Sequence, residues 1–163
     1  MCTTYEAVSR LERYLPEVKD NSVRDALETL LSSISPTMLV PMKMPDGSTT
    51  QVSNLKANRI PIYQKFCKDH APLIQSLYLF GSALTDQCRE KSDMDLMFVL
   101  NCTEDEWNDA TVLYWEDYPD LAGDDWLTMS KEDWTDACNH NGWVDFVVRD
   151  VVEKGVKIYD LSQ

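Results

Sequence analysis

The sequence has few of the residues that build zinc sites, disulfide frameworks or membrane spans. Its five cysteines form no C-x-x-C pair, and its two histidines, His70 and His140, lie far apart. These spacings do not fit a zinc site. The odd number of cysteines and the lack of a secretory leader predict a cytoplasmic, reducing environment. No apolar run approaches the roughly 20 residues that a membrane-spanning helix needs.

Basic side chains are also scarce. Lys and Arg number 15 against 28 Asp and Glu, which gives a net charge of −13. Proteins that track along DNA or RNA bind the backbone by neutralising phosphates with Lys and Arg, so we expect no extended nucleic-acid partner. A nucleoside triphosphate bound with Mg²⁺ fits this charge, because the metal inverts the local electrostatics. A basic protein partner fits it as well.

The composition is otherwise that of a globular protein, with 44% hydrophobic residues. Apolar positions at three- and four-residue steps predict two helices within residues 1–34, joined near Pro16, and another over 61–76. Asp46-Gly47 predicts a turn between short strands at 38–42 and 50–52. Later elements are helices within 103–119 and 130–142, with a short strand at 127–129 between them. A strand at 143–148, a helix and a final strand at 156–159 complete the prediction.

The most informative stretch is residues 77–100, LYLFGSALTDQCREKSDMDLMFVL. Two short apolar runs, 77–80 and 96–100, are typical of strands buried on both faces. Asp93 and Asp95 alternate at the start of the second run, so their carboxylates share one face. Two adjacent carboxylates repel and are costly to desolvate unless a cation lies between them. Mg²⁺ prefers such oxygen ligands, and we therefore predict a metal site here.

Gly81 and Ser82 end the first of these strands. Glycine lets the backbone approach a ligand closely, and serine offers a hydroxyl and an N–H. A phosphate site beside a carboxylate pair is the combination that metal-assisted phosphoryl or nucleotidyl transfer requires.

Gly81-Ser82 followed by Ser92-Asp93-Met94-Asp95-Leu96 resembles the signature of the DNA polymerase β-type nucleotidyltransferase superfamily. The similarity is closest to the minimal nucleotidyltransferases, which include the antitoxin partners of HEPN-domain toxins. The resemblance implies an α/β (α+β) fold with a small mixed sheet flanked by helices. It also implies two Mg²⁺ ions and a nucleoside triphosphate, ATP being the expected one, with Gly81 and Ser82 on its β- and γ-phosphates.

The same resemblance frames the domain organisation. We expect a nucleotidyltransferase domain over residues 61–163, with an insertion at about 103–142. Residues 1–60 would be a helical N-terminal extension and an irregular connector. Members of the superfamily usually carry an arginine soon after Gly-Ser, where this chain has Ala83 and Leu84, and Arg89 and Lys91 are the candidates for that contact.

A third carboxylate is expected at Asp145, within the apolar run WVDFVV. An ionisable group inside an apolar strand needs a partner. If this strand lies beside residues 96–100, Asp145 points at the same cation as Asp93 and Asp95, and the resemblance implies the same arrangement. Asp145 is also the candidate for removing the acceptor's proton.

The sequence is compatible with three functions. The first is transfer of a nucleotide to a hydroxyl of a protein, such as a partner toxin. Alternatively, the protein modifies a small molecule, as aminoglycoside nucleotidyltransferases do, or the end of a nucleic acid. The third possibility is a non-catalytic, antitoxin-like module that only binds a partner, although three retained carboxylates speak against it.

Overall fold

The computed structural model describes residues 14–34, 37–111, 117–121, 123–139 and 145–162. Most of the first predicted helix, which would end near Pro16, lies outside these ranges. None of the helices in the described ranges combines the length and the apolar composition that crossing a bilayer requires.

The described elements include both helices and strands. The helices are α1 (Asn21–Ile34), α2 (Ile60–Asp69), α3 (Glu104–Thr111), α4 (Lys131–Cys138) and α5 (Phe146–Lys154). The strands are β1 (Leu39–Lys43), β2 (Thr49–Ser53), β3 (Ile74–Phe80), β4 (Asp95–Leu100), β5 (Asp125–Ser130) and β6 (Val156–Asp160). Short 3₁₀ turns occupy Leu15–Glu17, Ala57–Arg59, Gly81–Leu84 and Pro119–Leu121.

Four of the strands form a mixed sheet in the order β5-β4-β3-β6. β3 is antiparallel to both β4 and β6, whereas β4 and β5 are parallel. β1 and β2 form a separate antiparallel hairpin around the predicted Asp46-Gly47 turn. The predicted α/β fold with a small mixed sheet and flanking helices is thus confirmed.

Both faces of the sheet are covered, because the side chains of β4 alternate between two cores. Leu96, Phe98 and Leu100 face a large core. Met97 and Val99 face a smaller core formed with residues of α4 and α5. The prediction that β4 is buried on both faces is confirmed, and any residue in phase with Met97 and Val99 projects from the second face.

Residues before the predicted domain contribute to the same structure. Met44 and Val52 belong to the large core. The Thr37 hydroxyl donates to the carbonyl of Cys88, and the Lys56 ammonium donates to the carbonyl of Glu90 at 2.8 Å. These contacts brace the loop that leads to Asp93. The division at residue 60 stays a prediction.

Side chains at two helix starts explain why those helices begin where they do. The Thr103 hydroxyl accepts from the backbone N–H of Glu106, whose carboxylate accepts from the Thr103 N–H at 2.8 Å. This reciprocal capping box starts α3 as the sequence predicts. Ser130 caps α4 by accepting from the backbone N–H of Asp133.

The predicted strand at 143–148 is wrong where the structure describes it. Phe146 begins helix α5, and Asp145 is its N-cap, accepting a hydrogen bond from the Val147 N–H at 2.8 Å. Val148 and Val151, three residues apart, are buried on one face of this helix. A run of β-branched residues resembled a strand, but helical packing on the sheet determines its structure.

Candidate active site

The candidate site lies where three neighbouring strands meet at one edge of the sheet. β3 ends at Phe80, which pairs with Asp95, the first residue of β4. Asp95 in turn pairs in parallel register with Asp125, the first residue of β5. The Gly81-Ser82 turn follows β3 directly. The fold therefore brings the predicted Gly-Ser turn and Asp95 together, and adds Asp125 beside them.

Gly81 is in direct contact with the Asp95 carboxylate. Its φ is +70°, in the left-handed region that favours glycine. A Cβ at this position would lie 2.1 Å from Asp95 Oδ2 and 2.8 Å from Asp95 Cγ. Glycine is therefore required here by both the backbone conformation and the carboxylate.

The electrostatics of Asp95 show that acidic side chains gather around it. Burial raises the pKa of this carboxyl above its ordinary 3.8, and the charges of Asp125, Asp93 and Asp124 raise the pKa further. A backbone hydrogen bond from Ser82 acts in the opposite direction. Asp95 is half-buried, whereas Asp93 and Asp125 are exposed. Like charges so placed favour the binding of a cation.

Asp124 precedes Asp125 but has a different environment. Its side chain is only 1% exposed and forms a salt bridge with Arg59, 2.8 Å between Oδ1 and the guanidinium. It also accepts from the Tyr63 hydroxyl at 2.5 Å and from the Met94 N–H at 3.0 Å. The Asp124 carboxylate is thus occupied by partners within the fold, which leaves Asp125 as the carboxylate available beside Asp95.

The same contacts fix the peptide between the two predicted metal ligands. The N–H of Met94 donates to Asp124, and its carbonyl accepts from the Asp125 N–H at 3.0 Å. Met94 is fully buried in the large core. Because both sides of this residue are held, the start of β5 sets the position from which Asp93 and Asp95 project.

Asp145 does not lie on a strand beside β4, whose neighbours in the sheet are β3 and β5. Asp145 is exposed at the N-terminus of α5, and its carboxylate caps that helix. The other end of α5, at Lys154, lines a cavity with Gly81 and Ser82. At 1.5 Å per residue, Asp145 lies about 13 Å along the helix axis from Lys154. The strand geometry on which its predicted metal role rested is therefore wrong.

The residues present match the chemistry of a magnesium site. Within the part of the chain that the structure describes, no three histidine, cysteine or carboxylate side chains already converge as a metal-binding group. Asp93 and Asp125 are exposed, however, and the charges of both act on the Asp95 carboxyl. Carboxylate oxygens are the ligands that Mg²⁺ prefers. The donor set thus fits the metal that the sequence predicts.

A cavity of about 480 Å³ adjoins the Gly-Ser turn. It is lined by Gly81, Ser82, Leu84, Thr85, Gln87, Asp150 and Lys154. Arg89, a predicted phosphate contact, donates instead to the carbonyls of Asp86 and Cys88. Neither Arg89 nor Lys91 is among the lining residues.

Asp125 is not among the site residues predicted from the sequence. The strand predicted at 127–129 leaves Asp124 and Asp125 in the preceding turn, whereas β5 begins at Asp125. The available signal was an acidic residue directly ahead of a short apolar strand, the same pattern as Asp95 before residues 96–100.

Comparison with known proteins identifies the family of this chain. Neither the curated proteins nor the solved structures gave a match to this chain. A family model described as "Polymerase beta, Nucleotidyltransferase" matches residues 63–163, which is more than half of the chain and includes both the Gly-Ser turn and all the acidic residues of the site. The chain therefore belongs to the polymerase β nucleotidyltransferase family.

Proposed function

We propose that this protein is a Mg²⁺-dependent nucleotidyltransferase that moves a nucleoside monophosphate from a nucleoside triphosphate to a hydroxyl group. The observation that carries the proposal is the in-register pairing of Asp95 with Asp125 beside the Gly81-Ser82 turn. Family membership supports nucleotidyl transfer in general. The metal, the triphosphate and the acceptor belong to the proposal.

The acidic side chains would bind metal, and the Gly-Ser turn would bind phosphate. Asp93, Asp95 and Asp125 would hold Mg²⁺, with two ions as the full complement. Bound Mg²⁺ would supply positive charge against the triphosphate and lower the pKa of the attacking hydroxyl. Gly81 permits close approach of the terminal phosphates, and the Ser82 hydroxyl donates a hydrogen bond to them.

The reaction is an in-line substitution at the α-phosphorus. The acceptor oxygen forms a bond to that phosphorus, the bond to the β-phosphate's bridging oxygen breaks, and pyrophosphate leaves. Asp125 is exposed beside the half-buried Asp95. We assign to Asp125 the acceptance of the hydroxyl proton.

Charge favours a cationic acceptor. The net charge of −13 and the acidic site attract a positively charged molecule and repel a nucleic acid. A hydroxyl on a basic protein, such as a HEPN-type toxin, meets this requirement, and so does a cationic aminoglycoside-like compound. We favour the protein acceptor. The four cysteines that the structure describes are free thiols, which supports a cytoplasmic location.

The test incubates the full-length chain with Mg²⁺ and each of the four triphosphates, labelled at the α-phosphate, together with candidate acceptors. Intact mass of the acceptor and release of pyrophosphate are measured. We expect a mass increase of one nucleoside monophosphate, lost in Asp95→Asn and retained in the charge-matched surface variant Asp105→Asn. Binding of Mg-triphosphate without transfer to any acceptor would favour the binding-only module, and no binding at all would refute the proposal.

A further inference from the structure

The cavity beside the Gly-Ser turn receives a basic side chain from the far end of the sequence. Lys154 is the last residue of α5, and Val156, two residues later, pairs with Leu79 in β3. Leu79 lies two residues before Gly81. The short connection therefore fixes the backbone of Lys154 close to the predicted phosphate site.

Gly155 makes this connection possible. Its N–H donates to the carbonyl of Val151 at 2.8 Å, which closes the last turn of α5. A Cβ at Gly155 would lie 2.4 Å from that carbonyl oxygen. The tight passage from α5 into β6 thus depends on this glycine, and it sets where Lys154 projects.

Lys154 carries the one positive charge among the described residues that line the cavity. Two other basic side chains donate to backbone carbonyls instead: Arg89 to those of Asp86 and Cys88, and Lys56 to that of Glu90. A triphosphate placed next to Asp95 and Asp125 requires positive charge in addition to Mg²⁺. Among the described residues that line the cavity, Lys154 is the one in position to supply it.

Asp150 holds the lysine in this structure. Lys154 Nζ lies 2.5 Å from Asp150 Oδ1, one helical turn earlier, and the two side chains are 70% and 31% exposed. An ion pair this exposed contributes little free energy. A phosphate with two negative charges competes well for the same ammonium group.

We propose that Lys154 binds the terminal phosphates of the nucleotide and that Asp150 positions its ammonium group when no nucleotide is bound. This inference rests on the proposed nucleotidyl transfer. It identifies the basic contact that the position after Gly81-Ser82 does not provide, since Ala83 and Leu84 stand there. The cavity would accordingly select ligands that carry a polyphosphate.

Binding of magnesium tripolyphosphate, Mg-ATP and AMP to the full-length chain, measured by calorimetry, tests this. Removing one charge-assisted contact in Lys154→Gln should weaken tripolyphosphate and ATP binding about tenfold. AMP, which lacks the terminal phosphates, should bind equally to both proteins. Lys154→Arg should retain wild-type affinity, and Lys68→Gln, which removes a charge from a different cavity, should change nothing.

The Asp150→Asn variant gives an independent result. Without the competing carboxylate, tripolyphosphate should bind about threefold more tightly. The inference is overturned if Lys154→Gln, folded by circular dichroism, binds tripolyphosphate and ATP as wild type does. If wild type itself binds neither compound, the proposed function fails, which is a separate outcome.

Discussion

Replacing Asp125 by Asn should abolish activity and at the same time stabilise the metal-free protein. Neighbouring strands lie about 4.8 Å apart. Two unit charges about 5 Å apart repel by about 3 kcal/mol at an effective dielectric constant of 20. Asp125 is exposed, so solvent screening reduces the repulsion with Asp95 to about 0.5–1 kcal/mol. Removing that charge should raise the free energy of unfolding by this amount.

In a chain of 163 residues, the gain corresponds to an increase in Tm of about 1–4 °C. Calorimetric melting in EDTA measures it. Loss of a metal ligand removes several kcal/mol of transition-state stabilisation, so the transfer rate should fall at least about a hundredfold. Added Mg²⁺ should stabilise wild type more than the variant, because the variant binds the ion less tightly.

The neighbouring residue provides the control. Asp124→Asn removes the buried charge that pairs with Arg59, and breaking a buried pair costs about 3–5 kcal/mol. Adjacent and chemically identical substitutions should thus change stability in opposite directions. An Asp125→Asn variant that melts earlier than wild type in EDTA, or that transfers nucleotide at the wild-type rate, would refute the assignment of Asp125 to the site.

Three further predictions concern Asp145, Gly81 and the pH dependence. Asp145→Ala should lose about 1 kcal/mol of stability through the missing helix cap, while Asp145→Asn keeps the cap and both retain full transfer rates; inactivity of Asp145→Asn would restore its predicted metal role. Gly81→Ala should lose activity and about 1–2 kcal/mol of stability, because its Cβ meets the Asp95 carboxylate at positive φ. The control Gly47→Ala, at similar φ in open space, should lose stability only, and equal activity in the two variants would contradict this. Because the pKa of Asp95 is raised, protonation on acidification should weaken Mg²⁺ binding at a higher pH than it would for an ordinary aspartate. Mg²⁺ titrations at a series of pH values should show that the pH midpoint of this loss is lower in Asp125→Asn. An unshifted midpoint would argue against the coupling between Asp95 and Asp125.

The raised pKa also sets the sign of the stability change with pH. The folded protein holds the Asp95 proton more tightly than the unfolded chain does. The contribution of this group to stability is therefore fully present below the ordinary value of 3.8 and is lost as pH rises through the raised pKa. Chemical denaturation of the metal-free protein at a series of pH values measures this slope.

Local patterns were sufficient to predict much of the fold. The β1–β2 hairpin follows from Asp46-Gly47 between two short strands. The start of α3 follows from the Thr103–Glu106 capping box. The position of β4 follows from its uninterrupted apolar run. In each of these elements, the residues that determine the structure lie close together in the sequence.

The proposed third carboxylate, Asp125, could not be predicted in the same way. Asp124 and Asp125 are identical residues next to each other, and their environments differ because successive residues of β5 point to opposite faces of the sheet. The partners of Asp124 are Arg59 and Tyr63, more than 60 positions earlier in the chain. The strand predicted around Asp145 was wrong because valines such as Val147 and Val148 adopt strand or helix according to their packing, and the local sequence does not show that packing.

The two hydrogen bonds that hold Met94 to Asp124 and Asp125 make the length of the turn before β5 critical. Successive residues of a strand point to opposite faces, so deleting a single residue between Leu121 and Asp124 would turn β5 over if its pairing followed the shortened loop. The carboxylate that now pairs with Arg59 would then face the proposed metal site, and Asp125 would be turned toward the core. Insertions and deletions should therefore be poorly tolerated in the few residues that precede Asp124.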